Sequence, residues 1–209
     1  MSGAARTRLF VALDLPEHVR AALAAWGAGI AAEVHGERAL RVLPPESLHV
    51  TLCFLGWRDE GHVEAIAALA LGAARADAPA PPLALGSPAW LPRRRPRVLA
   101  VDLADDGGAL AGLQARVSDA LEAGAGFEPE KRPFRPHVTV ARVPRGARVN
   151  ARDELTAPAP LQFAGAAGEA RPARPAPAAA RKHPPAQRPA PPRRWPRRAP
   201  RRASPGSTA

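Results

Sequence analysis

Residues 8–15 read Arg-Leu-Phe-Val-Ala-Leu-Asp-Leu, an apolar run of strand length that Pro16 ends. From Pro16-Glu17 the period changes: Val19, Leu23, Trp26 and Ile30 recur at steps of four, three and four. That spacing predicts an amphipathic helix with one buried stripe, opened by a proline at its start. The same succession returns later in the chain. Residues 97–104 form a second apolar run, closed by Asp105-Asp106-Gly107-Gly108, and Leu110, Leu113, Val117 and Leu121 then step by three, four and four. Each strand and helix leads through a Pro-containing loop, Leu43-Pro44-Pro45 or Arg132-Pro133-Phe134-Arg135-Pro136, into a further strand. Between the two successions the pattern predicts another helix at about 60–75 and a strand at about 83–91.

Sliding the chain on itself by 88 residues makes the repetition explicit. Val11-Ala12-Leu13-Asp14-Leu15 falls over Leu99-Ala100-Val101-Asp102-Leu103, and with no gap His49-Val50-Thr51-Leu52 falls over His137-Val138-Thr139-Val140. Two matches in one register imply two strand–helix–strand lobes related by approximate two-fold symmetry. Equivalent residues of such lobes face each other across an interface, where a cleft forms.

Side chains alternate along a strand, so strict alternation puts His49, Thr51 and Cys53 on one face and Val50, Leu52 and Phe54 on the other. His137 and Thr139 are divided in the same way from Val138 and Val140. The apolar face belongs to the core and the His/Thr face to the cleft. Two imidazoles brought there from opposite lobes suit a general acid and a general base, since an unperturbed imidazole titrates near 6.5. Two hydroxyls beside them suit an anionic oxygen such as a phosphate. This scheme for phosphodiester cleavage needs no metal and no cofactor. His49 with Cys53 is a poor start for a zinc site, having two ligands on one strand and no further cysteine.

The paired HVT segments resemble the HxTx motifs of the two-histidine phosphoesterase superfamily. Three longer stretches are similar to its RNA 2′,3′-cyclic phosphodiesterase, or 2′-5′ RNA ligase, branch. These are Arg8 to Pro16, Pro44-Pro45-Glu46-Ser47-Leu48-His49 continuing to Phe54-Leu55-Gly56, and Pro133-Phe134-Arg135-Pro136-His137 continuing to Ala141-Arg142. The resemblance covers about residues 6–150. It implies an α+β, bilobal fold in which two pseudo-symmetric lobes of antiparallel sheet, with flanking helices, surround a central cleft. It also implies hydrolysis of a 2′,3′-cyclic phosphate at an RNA end to a 2′-phosphate, and in some members reversible 2′-5′ joining. On the same grounds His49 is the proton donor to the leaving 3′ oxygen, His137 is the proton acceptor that activates water, and Thr51, Thr139 and Arg142 bind the phosphate. Strict alternation points Arg142 away from His137, so its role requires a strand end or a strong twist. The family continues with strand sequence after the second motif, whereas Pro/Ala/Arg repeats begin here at about Thr156; if these are out-of-frame sequence, an edge of one sheet is left unpaired.

Charge separates the chain into two parts. Of the formal +11, a net +10 falls on residues 164–209, where eleven Lys and Arg stand against Glu169 alone among eleven Pro and fourteen Ala. The high isoelectric point therefore says nothing about residues 1–163, the expected phosphoesterase domain. Residues 164–209 are expected to be disordered. They read equally as an RNA-adhesive tail and as the composition that GC-rich codons give out of frame. A single Cys53 excludes an internal disulfide, and Asp14 and Pro16 break the N-terminal apolar run before a signal peptide is complete. A cytoplasmic, non-membrane monomer acting on RNA is the expectation. Two other readings keep their place: a phosphodiesterase for small cyclic nucleotides or 2′-5′ oligonucleotides, and a non-catalytic RNA-binding module. Arg93-Arg94-Arg95-Pro96-Arg97 reads as a loop meeting RNA phosphates or simply solvated, Asp14 and Asp102 as helix caps, and His18, His35 and His62 as surface residues.

Overall fold

The structure, a computed structural model, describes residues 5–34, 40–75, 81–150 and 154–164. The elements read from the periodicities lie within about three residues of their expected bounds. In chain order they are β1 (Arg6–Asp14), α1 (Glu17–Glu33), β2 (Arg41–Val42), β3 (His49–Asp59), α2 (Val63–Ala74), β4 (Pro82–Leu91), β5 (Val98–Ala104), α3 (Ala109–Ala125), β6 (His137–Arg142) and β7 (Gln162–Ala164). β2 and β7 are additions, too short to leave a period in the sequence. The fold is α+β, a seven-stranded antiparallel sheet in the order β1-β3-β6-β5-β4-β7 with β2 also on β6, and three helices.

The repeat is visible in the ladders. β1 pairs β3 through Asp14↔His49, Leu13↔Val50 and Ala12↔Thr51, and β5 pairs β6 through Asp102↔His137, Val101↔Val138 and Ala100↔Thr139. The two copies join in one sheet, and the ladder between β3 and β6 consists of Val50↔Val138. These are equivalent residues of the two copies, as a two-fold axis between antiparallel strands requires. Both valines are fully buried, and each such side chain withdrawn from water contributes roughly 1.5–3 kcal/mol.

The helices cover the valine face. Val19, Leu23 and Ile30 of α1 and Leu110, Leu113, Val117 and Leu121 of α3 are buried, as the periodicity predicts. α1 packs over β2 and β6, while α3 packs over β3, so each helix holds the His-bearing strand of the other copy. Gly27 makes the first of these contacts possible: a Cβ there would lie 2.5 Å from Val140 Cγ1. No helix among the described residues is long and apolar enough to cross a membrane.

The edge that an out-of-frame end would leave unpaired is covered. β7 pairs β4 through Leu83↔Phe163, Phe163 is buried, and the Trp26 indole donates to the Thr156 carbonyl at 2.9 Å. Chain beyond Thr156 thus contributes strand and core in spite of its composition.

Candidate active site

Val50 and Val138 point into the core, so their neighbours emerge on the face the helices leave open. Because the strands are antiparallel, His49 lies across from Thr139 and Thr51 across from His137. All four are half-buried. The fold thus gathers the two histidines and two threonines of the repeat around one point of the open face.

Strict alternation fails at a bulge three residues beyond each histidine, at the equivalent position in both copies. The β1–β3 register shifts between Val11 and Ala12, leaving Leu52 as the extra residue, and the β5–β6 register shifts between Leu99 and Ala100, leaving Val140 as the extra one. A bulge advances the strand by one residue without advancing its partner, so every side chain after it changes face. Cys53 therefore does not share the face of His49. It is buried on the helix side, with its sulfur 4.0 Å from the Gln114 amide, and burial pushes its thiol up to about 11. Phe54, expected in the core, is 40% exposed on the open face. Arg142 turns back to the face of His137 and is exposed, so the bulge supplies what a strand end or twist was expected to supply. Phe54 and Arg142 are themselves equivalent positions of the repeat. The open face is thereby aromatic on one side of the histidines and cationic on the other.

The two imidazoles are held alike. His49 Nδ1 is 2.8 Å from the Ser47 carbonyl and His137 Nδ1 is 2.8 Å from the Arg135 carbonyl. A carbonyl only accepts, so Nδ1 carries the proton in each ring and Nε2 is left to exchange protons on the open face. The surroundings differ. The Phe10 ring stacks on His49 with centroids 4.8 Å apart, where the second copy has Val98. His49 is held below its ordinary 6.5 chiefly by burial, with the charges of Arg142 and His137 acting in the same sense and the Ser47 carbonyl and Asp14 opposing them. Arg8 lies over the Phe54 ring at 4.6 Å.

The duplicated aspartates are not the caps they were expected to be. α3 is capped by Asp105, whose carboxylate accepts from the Leu110 and Ala111 amides at 3.0 and 2.9 Å, and α1 has no side-chain cap. Asp102 instead grips Arg135 at 2.6 and 3.1 Å, steadying the residue whose carbonyl holds His137. Asp14 stands opposite His49 in the ladder. Arg93, Arg94, Arg95 and Arg97 are exposed in the turn between β4 and β5, His18 and His62 are exposed, and His35 falls outside the described residues. Among the described residues no three His, Cys, Asp or Glu side chains converge as a metal site would need. Sequence reading missed Phe10, Phe54 and Arg41. Arg41 lies opposite Arg142 in β2, and a two-residue strand carries no period by which to find it.

The comparisons with known proteins bear on this arrangement directly, since the 2′-5′ RNA ligase superfamily matches residues 15–167, the span that holds both histidine strands. The chain belongs to that superfamily. A relative from Thermus thermophilus named RNA 2′,3′-cyclic phosphodiesterase is 36% identical over 138 residues, 65% of this chain and 68% of its own. Among solved structures, a protein of Thermus thermophilus matches with a TM-score of 0.51 at 33% identity, over 76% of this chain and 81% of that one. E. coli LigT complexed with 3′-AMP matches with a TM-score of 0.58 at 25% identity, over 76% and 84%. As a superfamily member the chain shares the LigT-like fold, and the matched span runs past residue 150 to include β7.

Proposed function

We propose that the protein hydrolyses 2′,3′-cyclic phosphate ends of RNA to 2′-phosphates by metal-independent acid–base catalysis. The observation that carries this is the pair of Nδ1–carbonyl bonds, 2.8 Å in each copy, which leave two Nε2 atoms free on one face beside two threonine hydroxyls. In the forward direction His137 Nε2 takes a proton from water and the water oxygen bonds to phosphorus. The P–O3′ bond breaks, and His49 gives its Nε2 proton to the departing 3′ oxygen, leaving a 2′-phosphate and a free 3′-hydroxyl. Thr51 and Thr139 donate to the non-bridging oxygens, and Arg142 meets their charge. With an RNA 5′-hydroxyl in place of water the same proton transfers, in the same direction, join two RNAs through a 2′-5′ linkage, and run backwards they cleave that linkage to a cyclic phosphate and a 5′-hydroxyl. The aromatic side, Phe10 and Phe54, receives the terminal nucleoside, and the two copies act as lobes on either side of the phosphate. The catalytic domain ends with β7, residues 165–209 are a separate basic segment, and the protein works as a cytoplasmic monomer.

The test is turnover of RNA ending in a 2′,3′-cyclic phosphate, in chelator, with the product identified as a 2′-phosphate. His49→Ala and His137→Ala should each lower the rate by about 10²–10⁴-fold, the usual worth of a general acid or base. Wild-type-like turnover in either variant, or a rate lost in chelator and restored by zinc or manganese, would overturn the scheme.

A further inference from the structure

Arg41 and Arg142 are direct cross-strand partners, and their neighbours Val42 and Ala141 face the helix side. Both guanidinium groups therefore leave the sheet on the open face, and both residues are exposed. Like charges directly opposite each other destabilise a ladder. Neither arginine makes an ion pair among the described residues, where the ion pairs are Arg6–Asp59 and Arg135–Asp102. The strand that brings Arg41 here has two residues and continues only through the Leu43 amide, which donates to the Val140 carbonyl at 2.8 Å. In the first copy the equivalent position is Phe54, and the arginine beside it, Arg8, lies over an aromatic ring and not opposite a second cation. Arg142 in turn lies close enough to His49 for its charge to disfavour the imidazolium, so the pair adjoins the reacting phosphate.

We propose that Arg41 forms a second anion subsite with Arg142, which it shares with the reacting phosphate, and that this subsite takes a phosphodiester of the RNA strand on the 5′ side of its cyclic-phosphate end. An oxygen anion between the two guanidiniums offsets their repulsion and accepts from both. The subsite lies on the cationic side of the histidines, opposite the aromatic side that receives the base, and a nucleotide's base and 5′ oxygen leave its ribose in different directions. A cyclic mononucleotide has no such phosphodiester and leaves Arg41 idle. The inference rests on the reading of the site as one for RNA ends.

The experiment compares wild type, Arg41→Ala and Arg41→Lys on two probes, adenosine 2′,3′-cyclic phosphate and a pentaadenylate ending in the same group. Direct titration with a pentaadenylate bearing a 2′-phosphate is added, because it needs no turnover. Arg41→Ala should raise KM for the pentamer, and its Kd for the product, about 5–20-fold, the worth of one charge-assisted contact at an exposed site. The rate on the mononucleotide should not change, and Arg41→Lys should recover part of the loss. The slope of log Kd against log salt should shrink by about 0.7, one phosphate's share for a single strand. The melting temperature should hold or rise, because a repulsion has been removed. A pentamer Kd unmoved in Arg41→Ala, or losses equal on both probes, overturns the subsite. A wild type that turns over neither probe but binds the product pentamer more weakly as Arg41→Ala overturns the catalytic reading and leaves the subsite standing.

Discussion

His49 works under opposed influences, and their balance sets a pH dependence. Burial, with Phe10 stacked on the ring, disfavours the imidazolium, as do the charges of Arg142 and His137. The Ser47 carbonyl and Asp14 favour it, and the outcome is a group held below 6.5. A proton donor acts in its charged form, so kcat/KM, which reports free enzyme, should fall on its alkaline side from below about pH 6.5. The limb in kcat should lie higher, because bound phosphate restores the missing negative charge. Removing the cation in Arg142→Ala should move the kcat/KM limb up, and Asp14→Asn should move it down. A limb indifferent to both would place the ionisation elsewhere. Stability follows by linkage: a histidine whose folded value is depressed binds its proton more readily in the unfolded chain. Its contribution is therefore complete above about pH 6.5 and is lost as pH falls through the folded value. Denaturant titrations should show wild type losing stability below that pH more steeply than His49→Ala.

Between residue and sheet, the informative device is the duplicated bulge. The histidine strands were legible from His49-Val50-Thr51 and its copy because period two holds that far. The next step was not, because alternation assumes a partner strand that advances in step. The sequence did carry a trace: Leu52-Cys53 and Val140-Ala141 are adjacent apolar pairs where alternation demands one apolar and one polar residue, and both members of each pair are buried. Helix α1 was legible from Val19, Leu23, Trp26 and Ile30, yet the residue with no room for a side chain against the sheet is Gly27, which no hydrophobic count would select. A methyl at Gly27 would meet the stiff, β-branched Val140 at the bulge itself, 2.5 Å from Cγ1. Alanine gains about 1 kcal/mol of helix propensity over glycine. Overpacking costs about 1–3 kcal/mol, so Gly27→Ala should be net destabilising, by up to about 2 kcal/mol. Adding Val140→Ala should return part of it, a coupling that a double-mutant cycle in denaturant would read. Simple additivity of the two substitutions would mean that α1 is free to move off β6.

For the whole molecule the question is where the working domain stops. Charge put the boundary between 163 and 164, although the Pro/Ala/Arg repeats that begin at about Thr156 give no period. What identifies 154–164 as part of the fold is contact made far away in sequence. Phe163 enters the main core, Leu155 packs on the second apolar cluster, and the Trp26 indole is satisfied by the Thr156 carbonyl. Two truncations separate these contacts from the charge that follows. A chain ending at Ala164 keeps β7 and loses a net +10. It should melt as the full chain does and hydrolyse adenosine 2′,3′-cyclic phosphate at the same rate, while binding long RNA more weakly and with a flatter dependence of log affinity on log salt. A chain ending at Asn150 loses the same basic segment together with β7. It should be less stable by at least about 3–5 kcal/mol, the order of deleting one buried Phe side chain, and β4 becomes an unpaired edge prone to association. Equal melting of the two truncations would show that β7 contributes nothing to the fold. Loss of mononucleotide turnover in a folded chain ending at Ala164 would make the basic segment part of the site. Long-RNA affinity unchanged by that truncation would take the segment out of RNA binding altogether, and its composition would then be better read as that of GC-rich codons out of frame.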